Sequence, residues 1–373
     1  MARILVTVLA MMLAAGCAPR GAITLDPAAA RVGHVETIFV GTTRAPDPTT
    51  GEAFSAERST ETRFARLDIS VPPDRRPGAI AWPRPRRAPD PATEFLTVDE
   101  RSYGTAKAFR ADLRAALMAR RPGAREAVVF VHGFNSNFAE GAYRLAQIGD
   151  DLDLTGVLVH YSWPSRAHPL GYAYDRDSAL FARDGLQALL DEVVASGAEH
   201  VLLVAHSLGS ALTMEALRQM AIGGDRRAMA RISGVVLLSP DIDVDVFLAQ
   251  AERIGKLPEP FLIFTSKKDR ALALSARLTG EAQRLGNLRD VSRLANLKVT
   301  VFDTTAFSQG LGHFDSANSP ALLALLGRIS EVDSAIAADA QTRVGLLPGA
   351  VLTVRSATEI VLSPVTALSG LSP

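Results

Sequence analysis

From position 125 onward, short apolar runs alternate with longer stretches in which apolar side chains return every three or four residues. The runs are 127–131, 156–161, 201–204, 232–238, 261–265 and 297–302. Between them lie 139–151, 177–195 and a stretch beginning at Ala211, and 320–329 follows the last run. Brief runs rich in Val, Ile and Leu read as buried strands, whereas the three-and-four spacing gathers apolar residues on one helix face. Strands alternating with helices in this way predict an α/β class fold, a mostly parallel sheet with helices on both faces. Ahead of this core, 34–40 and 63–71 alternate like strands that extend the sheet, and 94–98 offers another. Phe109, Leu113, Leu117 and Met118 are spaced for a helix over 106–120, closed by Pro122-Gly123.

Composition adds bounds to this picture. The 373 residues carry 40 basic and 40 acidic side chains, so no global field draws the chain to nucleic acid. Hydrophobic residues make up 47% of the chain, enough for a large core, yet after the first residues no apolar run reaches spanning length. The prolines and arginines of 72–91 read as a solvated connection rather than a lipid contact.

The first sixteen residues are a processing segment: Arg3 is a positive start, 4–15 is an apolar core, and Ala14-Ala15-Gly16 precedes Cys17. This resembles a bacterial lipoprotein signal, in which cleavage before the cysteine is followed by its acylation. Cys17 is the single cysteine and has no internal disulfide partner, which favours lipidation. The expected layout is a signal peptide 1–16, a linker 17–30, a catalytic domain 31–332 and an extension 333–373. Within the domain, 31–123 supplies N-terminal strands and a loop, and 124–332 the catalytic core. The apolar tail 335–373, broken by Pro348 and Pro364, is expected to pack on the domain or stay disordered. Ala18 rather than aspartate after the cysteine leans toward the outer membrane, with the protein facing the periplasm.

The strand at 201–204 breaks at Ala205-His206-Ser207-Leu208-Gly209 before a helical pattern resumes. A serine on such a strand-to-helix turn projects its hydroxyl beside the free N–H groups of a helix start, as in the G-x-S-x-G nucleophile elbow. Here alanine replaces the first glycine. After 127–131 comes His132-Gly133-Phe134, a turn that can aim an N–H at the elbow. The oxyanion donors expected are Phe134 N–H and Leu208 N–H. A serine needs a base, and of the seven histidines only His313 lies beyond the last strand, in the glycine-flanked loop Gly310-Leu311-Gly312-His313.

These motifs, with Phe39 to Pro46, Ser162-Trp163-Pro164-Ser165, Ser239-Pro240-Asp241-Ile242-Asp243 and Ser266-Lys267-Lys268-Asp269, resemble a bacterial esterase/lipase-like α/β-hydrolase family of uncharacterised function. The likeness covers about 31–330. It implies an α/β-hydrolase fold and a Ser-acid-His triad with no metal and no cofactor. Family order favours Asp269 as the acid, with Asp241 the alternative and Asp243 close behind it. Asp315 stands too near His313 to serve it from an extended loop. The function expected is carboxylic ester hydrolysis through an acyl-enzyme on Ser207, on a small-molecule or lipid acyl ester. The alternative is a non-catalytic envelope lipoprotein that keeps the fold as a binding or scaffold module. Trp163, Tyr172, Tyr174 and Asp175 either line a cleft or pack a long loop. Asp241, Asp243, Asp245 and Glu252 mimic calcium-loop spacing, but Val246 occupies the position where that loop turns on glycine.

Overall fold

A computed structural model describes residues 20–47, 53–84, 86–281, 283–307, 349–354 and 357–362. The expected leader, Cys17, His313 and the helix expected at 320–329 lie outside the described residues. Three strands come first, β1 (His34–Pro46), β2 (Phe54–Val71) and β3 (Leu96–Tyr103), followed by α1 (Ala106–Met118). The alternating part contains β4 (Glu126–Val131), α2 (Phe138–Asp151), β5 (Val157–Ser162), α3 (Tyr172–Phe181) and α4 (Arg183–Ala195). It continues through β6 (His200–His206), α5 (Leu208–Gly223), the short α6 (Arg226–Met229), β7 (Ile232–Leu238) and α7 (Val244–Ile254). The last elements are β8 (Phe261–Thr265), α8 (Arg270–Leu278), β9 (Val299–Asp303), β10 (Gly349–Val354) and β11 (Ala357–Leu362).

Among the described residues, eleven strands share one sheet, in the order β10-β11-β9-β8-β7-β6-β4-β5-β1-β2-β3. From β11 through β9 to β1 every neighbour is parallel, and the pairs β1–β2, β2–β3 and β10–β11 are antiparallel. Every residue of β5, and all of β4 after Glu126, is buried, because helices cover both faces and no strand side reaches water. One core contains α1, α4, α5 and α7, with Phe109, Leu186, Leu212 and Phe247 fully buried. On the opposite face, α2 seats Phe138, Tyr143 and Ala146 against β1, β2 and Phe130. These two layers fix β4, β6 and β7 side by side, with their carboxyl ends on one edge.

The helix expected over 177–195 is two helices that meet at Ala182. The Tyr161 hydroxyl donates to the Ala182 carbonyl at 2.6 Å, and Gly185 seats α4 on the sheet. A Cβ there would lie 2.3 Å from Thr43 Cγ2 and 2.5 Å from the Tyr161 hydroxyl. The hairpin β10–β11 falls within the apolar tail, where β11 adds a strand beside β9.

Candidate active site

Strand β6 is paired with β4 on one side and β7 on the other, with Ala205 opposite Val131 and Leu237. The chain then turns sharply. Ser207 has φ +52° and ψ −121°, a conformation that costs a non-glycine residue about 1–3 kcal/mol and persists only where its surroundings impose it. Those surroundings are visible. Ser207 N–H donates to Leu238 O at 2.9 Å, and Ser207 O accepts from Ser210 N–H at 3.0 Å and Asp241 N–H at 3.1 Å. Ser210 Oγ donates back to Ala205 O at 3.1 Å. Leu208 opens α5, so its N–H lies in the turn that has no preceding helical carbonyl to meet. Gly209 is required by close approach, since a Cβ there would stand 2.3 Å from His132 O. Ala205, the departure from the usual motif, buries its methyl in the core without disturbing the turn.

The turn after β4 lies directly against this elbow: a Cβ on Gly133 would be 2.6 Å from His206 Nδ1 and 2.9 Å from Ser207 Cβ. Phe134 follows, its ring edge-on to Tyr172 at 5.5 Å. The next N–H groups are held, Asn135 on Asp175 Oδ2 at 3.2 Å and Ser136 on Ser165 Oγ at 3.2 Å. His132 is buried, stacked on Trp163 with ring centroids 4.8 Å apart. Its nitrogens face Gly133 O at 2.8 Å and Trp163 O at 3.0 Å. Burial, then the charge of Arg44 and the neighbouring His160, hold His132 well below the ordinary histidine range. Burial likewise pushes His160 down to about 3.

Sequence reasoning missed Arg44, although it sits in the Phe39 to Pro46 stretch. The guanidinium is buried and donates to Ser162 Oγ at 2.9 Å, Ser165 O at 3.1 Å, Ser136 O at 2.8 Å and Ser55 O at 3.2 Å. It thereby ties β1 to the turns after β4 and β5. Asp175 completes this support, accepting from Ser165 Oγ at 2.5 Å and Arg166 N–H at 2.7 Å. Burial raises its pKa. Trp163 and Asp175 therefore pack the loops, and Tyr174 lies between the guanidinium groups of Arg58 and Arg166. The signal available was an arginine and two serines within short motifs, with nothing to say that they meet.

Asp241 and Asp269 both lie buried at the carboxyl edge. Asp241 Oδ1 meets Arg284 Nε at 3.0 Å and accepts from Ser275 Oγ at 2.7 Å, while Oδ2 accepts from the Tyr172 hydroxyl at 2.8 Å. Asp269 follows β8 and caps α8, its Oδ1 accepting Leu272 N–H at 2.9 Å. Asp243 caps α7 through Asp245 N–H and Val246 N–H, and Asp245 pairs with Arg293, so the acidic run serves a helix start and two ion pairs rather than one ion. Among the described residues, one grouping has metal-ligand spacing, the partly exposed His34, Glu36 and Asp150, in which Asp150 also pairs with Arg75. A cavity of about 300 Å³ lies beside the turn after β4, lined by Trp82, Phe130, His132, Gly133, Arg144 and His206 among others. No helix of the described residues is long and apolar enough to cross a membrane.

No curated protein matches the chain. Solved structures that resemble it include a YdeN-like hydrolase from Pectobacterium atrosepticum, 18% identical with a TM-score of 0.33, covering 60% of this chain and 97% of that one. An esterase from Pyrococcus furiosus is 10% identical with a TM-score of 0.38, covering 84% and 96%. Naproxen esterase from Bacillus subtilis is 13% identical with a TM-score of 0.29, covering 56% and 83%. A family model described as an alpha/beta hydrolase of unknown function (DUF900) matches residues 105–328, which is more than half of the 373 residues. That stretch contains the turn after β4, the elbow and both buried aspartates, and the chain belongs to this family of alpha/beta hydrolases.

Proposed function

We propose that the protein is a serine hydrolase of carboxylic esters, with Ser207 as nucleophile, His313 as base, Asp269 as the triad acid, and Phe134 and Leu208 N–H as the oxyanion donors. The observation that carries this reading is the strained turn at Ser207, with the Gly133 turn pressed against it. In the reaction, Ser207 Oγ attacks the ester carbonyl while His313 takes its proton. The oxyanion then draws on two N–H groups already fixed by the backbone around them. Collapse expels the alcohol, which takes the proton from His313, and water repeats the sequence to release the acid. Family order supports Asp269 over Asp241, and Asp241 lies in a set with Arg284, Ser275 and Tyr172.

The same reading puts the mature protein on a membrane of the cell envelope, the outer one by preference, through lipid on Cys17, facing the periplasm and acting on a small or lipid acyl ester. The test is covalent labelling of purified protein with a fluorophosphonate. Wild type is expected to label at one site and Ser207→Ala not at all. Equal labelling of the two, or none of wild type, overturns the hydrolase reading and favours a non-catalytic binding or scaffold lipoprotein.

A further inference from the structure

The oxyanion turn is gripped from two sides. Arg44 holds it from inside, and a second arginine reaches it from the beginning of the described chain. Arg20 donates through one guanidinium nitrogen to Asn135 Oδ1 at 3.0 Å and through the other to Asn135 O at 2.8 Å. The second nitrogen also pairs with the Glu140 carboxylate. Gly21 N–H donates to Glu140 Oε1 at 3.1 Å, and Asn137 Nδ2 donates to Gly21 O at 2.7 Å. Asn137 and Glu140 are themselves the reciprocal capping pair that starts α2.

The seat is tight. A Cβ on Gly21 would stand 2.4 Å from Trp82 Cζ2 and 2.8 Å from Glu140 Cγ, so glycine is needed for the segment to lie this close. A few residues on, Thr97 N–H donates to Thr24 O at 2.9 Å and Asp26 N–H donates to Thr97 O at 2.8 Å, fastening the segment to β3. One end is thus tied to the sheet edge and the other to Asn135, a residue in the left-handed region with φ +58°.

We propose that Arg20 is a positioning residue for the oxyanion turn, making the residues just after the leader part of the catalytic apparatus. The proposal rests on reading Phe134 N–H as an oxyanion donor. Asp175 accepts the Asn135 N–H and Arg20 holds the Asn135 carbonyl, which fixes the peptide units on both sides of Asn135; the adjoining Gly133–Phe134 unit, which carries the Phe134 N–H, is then held between them and the contact of Gly133 O with His132 Nδ1 at 2.8 Å. The Arg20 side chain is 39% exposed. An exposed ion pair adds little to stability, whereas a small displacement of an oxyanion donor is costly to the transition state.

The experiment measures kcat and KM of Arg20→Ala, Arg20→Lys and Ser207→Ala on a soluble short-chain aryl ester. For every variant that keeps Ser207, rates are divided by the sites that a fluorophosphonate titrates, which removes any unfolded fraction; Ser207→Ala, which takes no label, is compared per folded protein by circular dichroism. Arg20→Ala is expected to lose about tenfold or more in kcat with KM within about twofold. Arg20→Lys recovers part of that loss, since an ammonium cannot reproduce the forked contacts. Added guanidinium restores turnover to Arg20→Ala. Arg110→Ala, which breaks an arginine–glutamate pair between α1 and α4, leaves kcat unchanged. A kcat for Arg20→Ala within about twofold of wild type, with Ser207→Ala inactive, overturns the positioning role alone. Turnover retained by Ser207→Ala overturns the hydrolase reading and the positioning role together.

Discussion

Two buried aspartates stand at the same sheet edge, and the proposed triad assigns Asp269 rather than Asp241 to the histidine. Asp241 lies in a closed set with Arg284, Ser275 and Tyr172, where burial and then the Asp241 charge push the tyrosine up to about 12. Removing the Asp241 charge leaves a buried guanidinium without its counter-ion, which is chiefly a stability defect. Asp269 caps α8 through Oδ1 and stands after the strand two places beyond the elbow, the position that family order favours for the acid. Asp269→Asn is therefore expected to lower aryl-ester turnover by about 10⁴ while the protein stays folded. Asp241→Asn is expected to lower the melting temperature and leave the turnover of the folded fraction within about tenfold. Circular dichroism melts together with titrated-site kinetics check both, and collapse of turnover in Asp241→Asn with near-normal Asp269→Asn reverses the assignment.

At the scale of elements, what was legible followed from local chemistry. The apolar runs of β4 to β9 and the serine between β6 and α5 are recorded in consecutive residues, so periodicity and one motif were sufficient to find them. The break at Ala182 was not legible, because it depends on a hydroxyl from β5 and the approach of α4 to Thr43. Nor was α8, a short amphipathic stretch whose start is capped by the residue already assigned a catalytic part. The hairpin at the end of the chain reads as a tail until β9 is there to pair with it. The elbow gives a sharper case. The motif suggests that glycine at 205 is the better residue, yet position 205 is an interior strand site with a buried methyl, while the close approach falls on Gly209. Ala205→Gly is accordingly expected to lose about 0.5–1 kcal/mol of stability in urea unfolding with fluorophosphonate labelling unchanged. A gain in stability would show that the alanine strains the turn.

For the molecule as a whole, the question is what the fixed N-terminal segment does to the placement of the active site. Arg20 is bound to the turn after β4, and the three residues back to Cys17 span at most about 11 Å of extended chain. Under the proposed lipidation of Cys17, the strand-end edge would be held close to the bilayer surface, and two or more acyl chains would make that attachment firm where one would be marginal. A near-zero net charge gives the rest of the surface no comparable pull toward anionic lipid. Cys17→Ala is expected to move the protein from the membrane fraction to the soluble fraction. The released protein should keep its rate on a soluble aryl ester within about twofold, because nothing in the triad or the Arg20 contacts is altered. Hydrolysis of a long-chain ester embedded in vesicles should fall by about tenfold or more, since the edge is no longer concentrated at the surface where that substrate lies. If Cys17→Ala stays in the membrane as fully as wild type, a surface other than the N-terminal lipid holds the protein there.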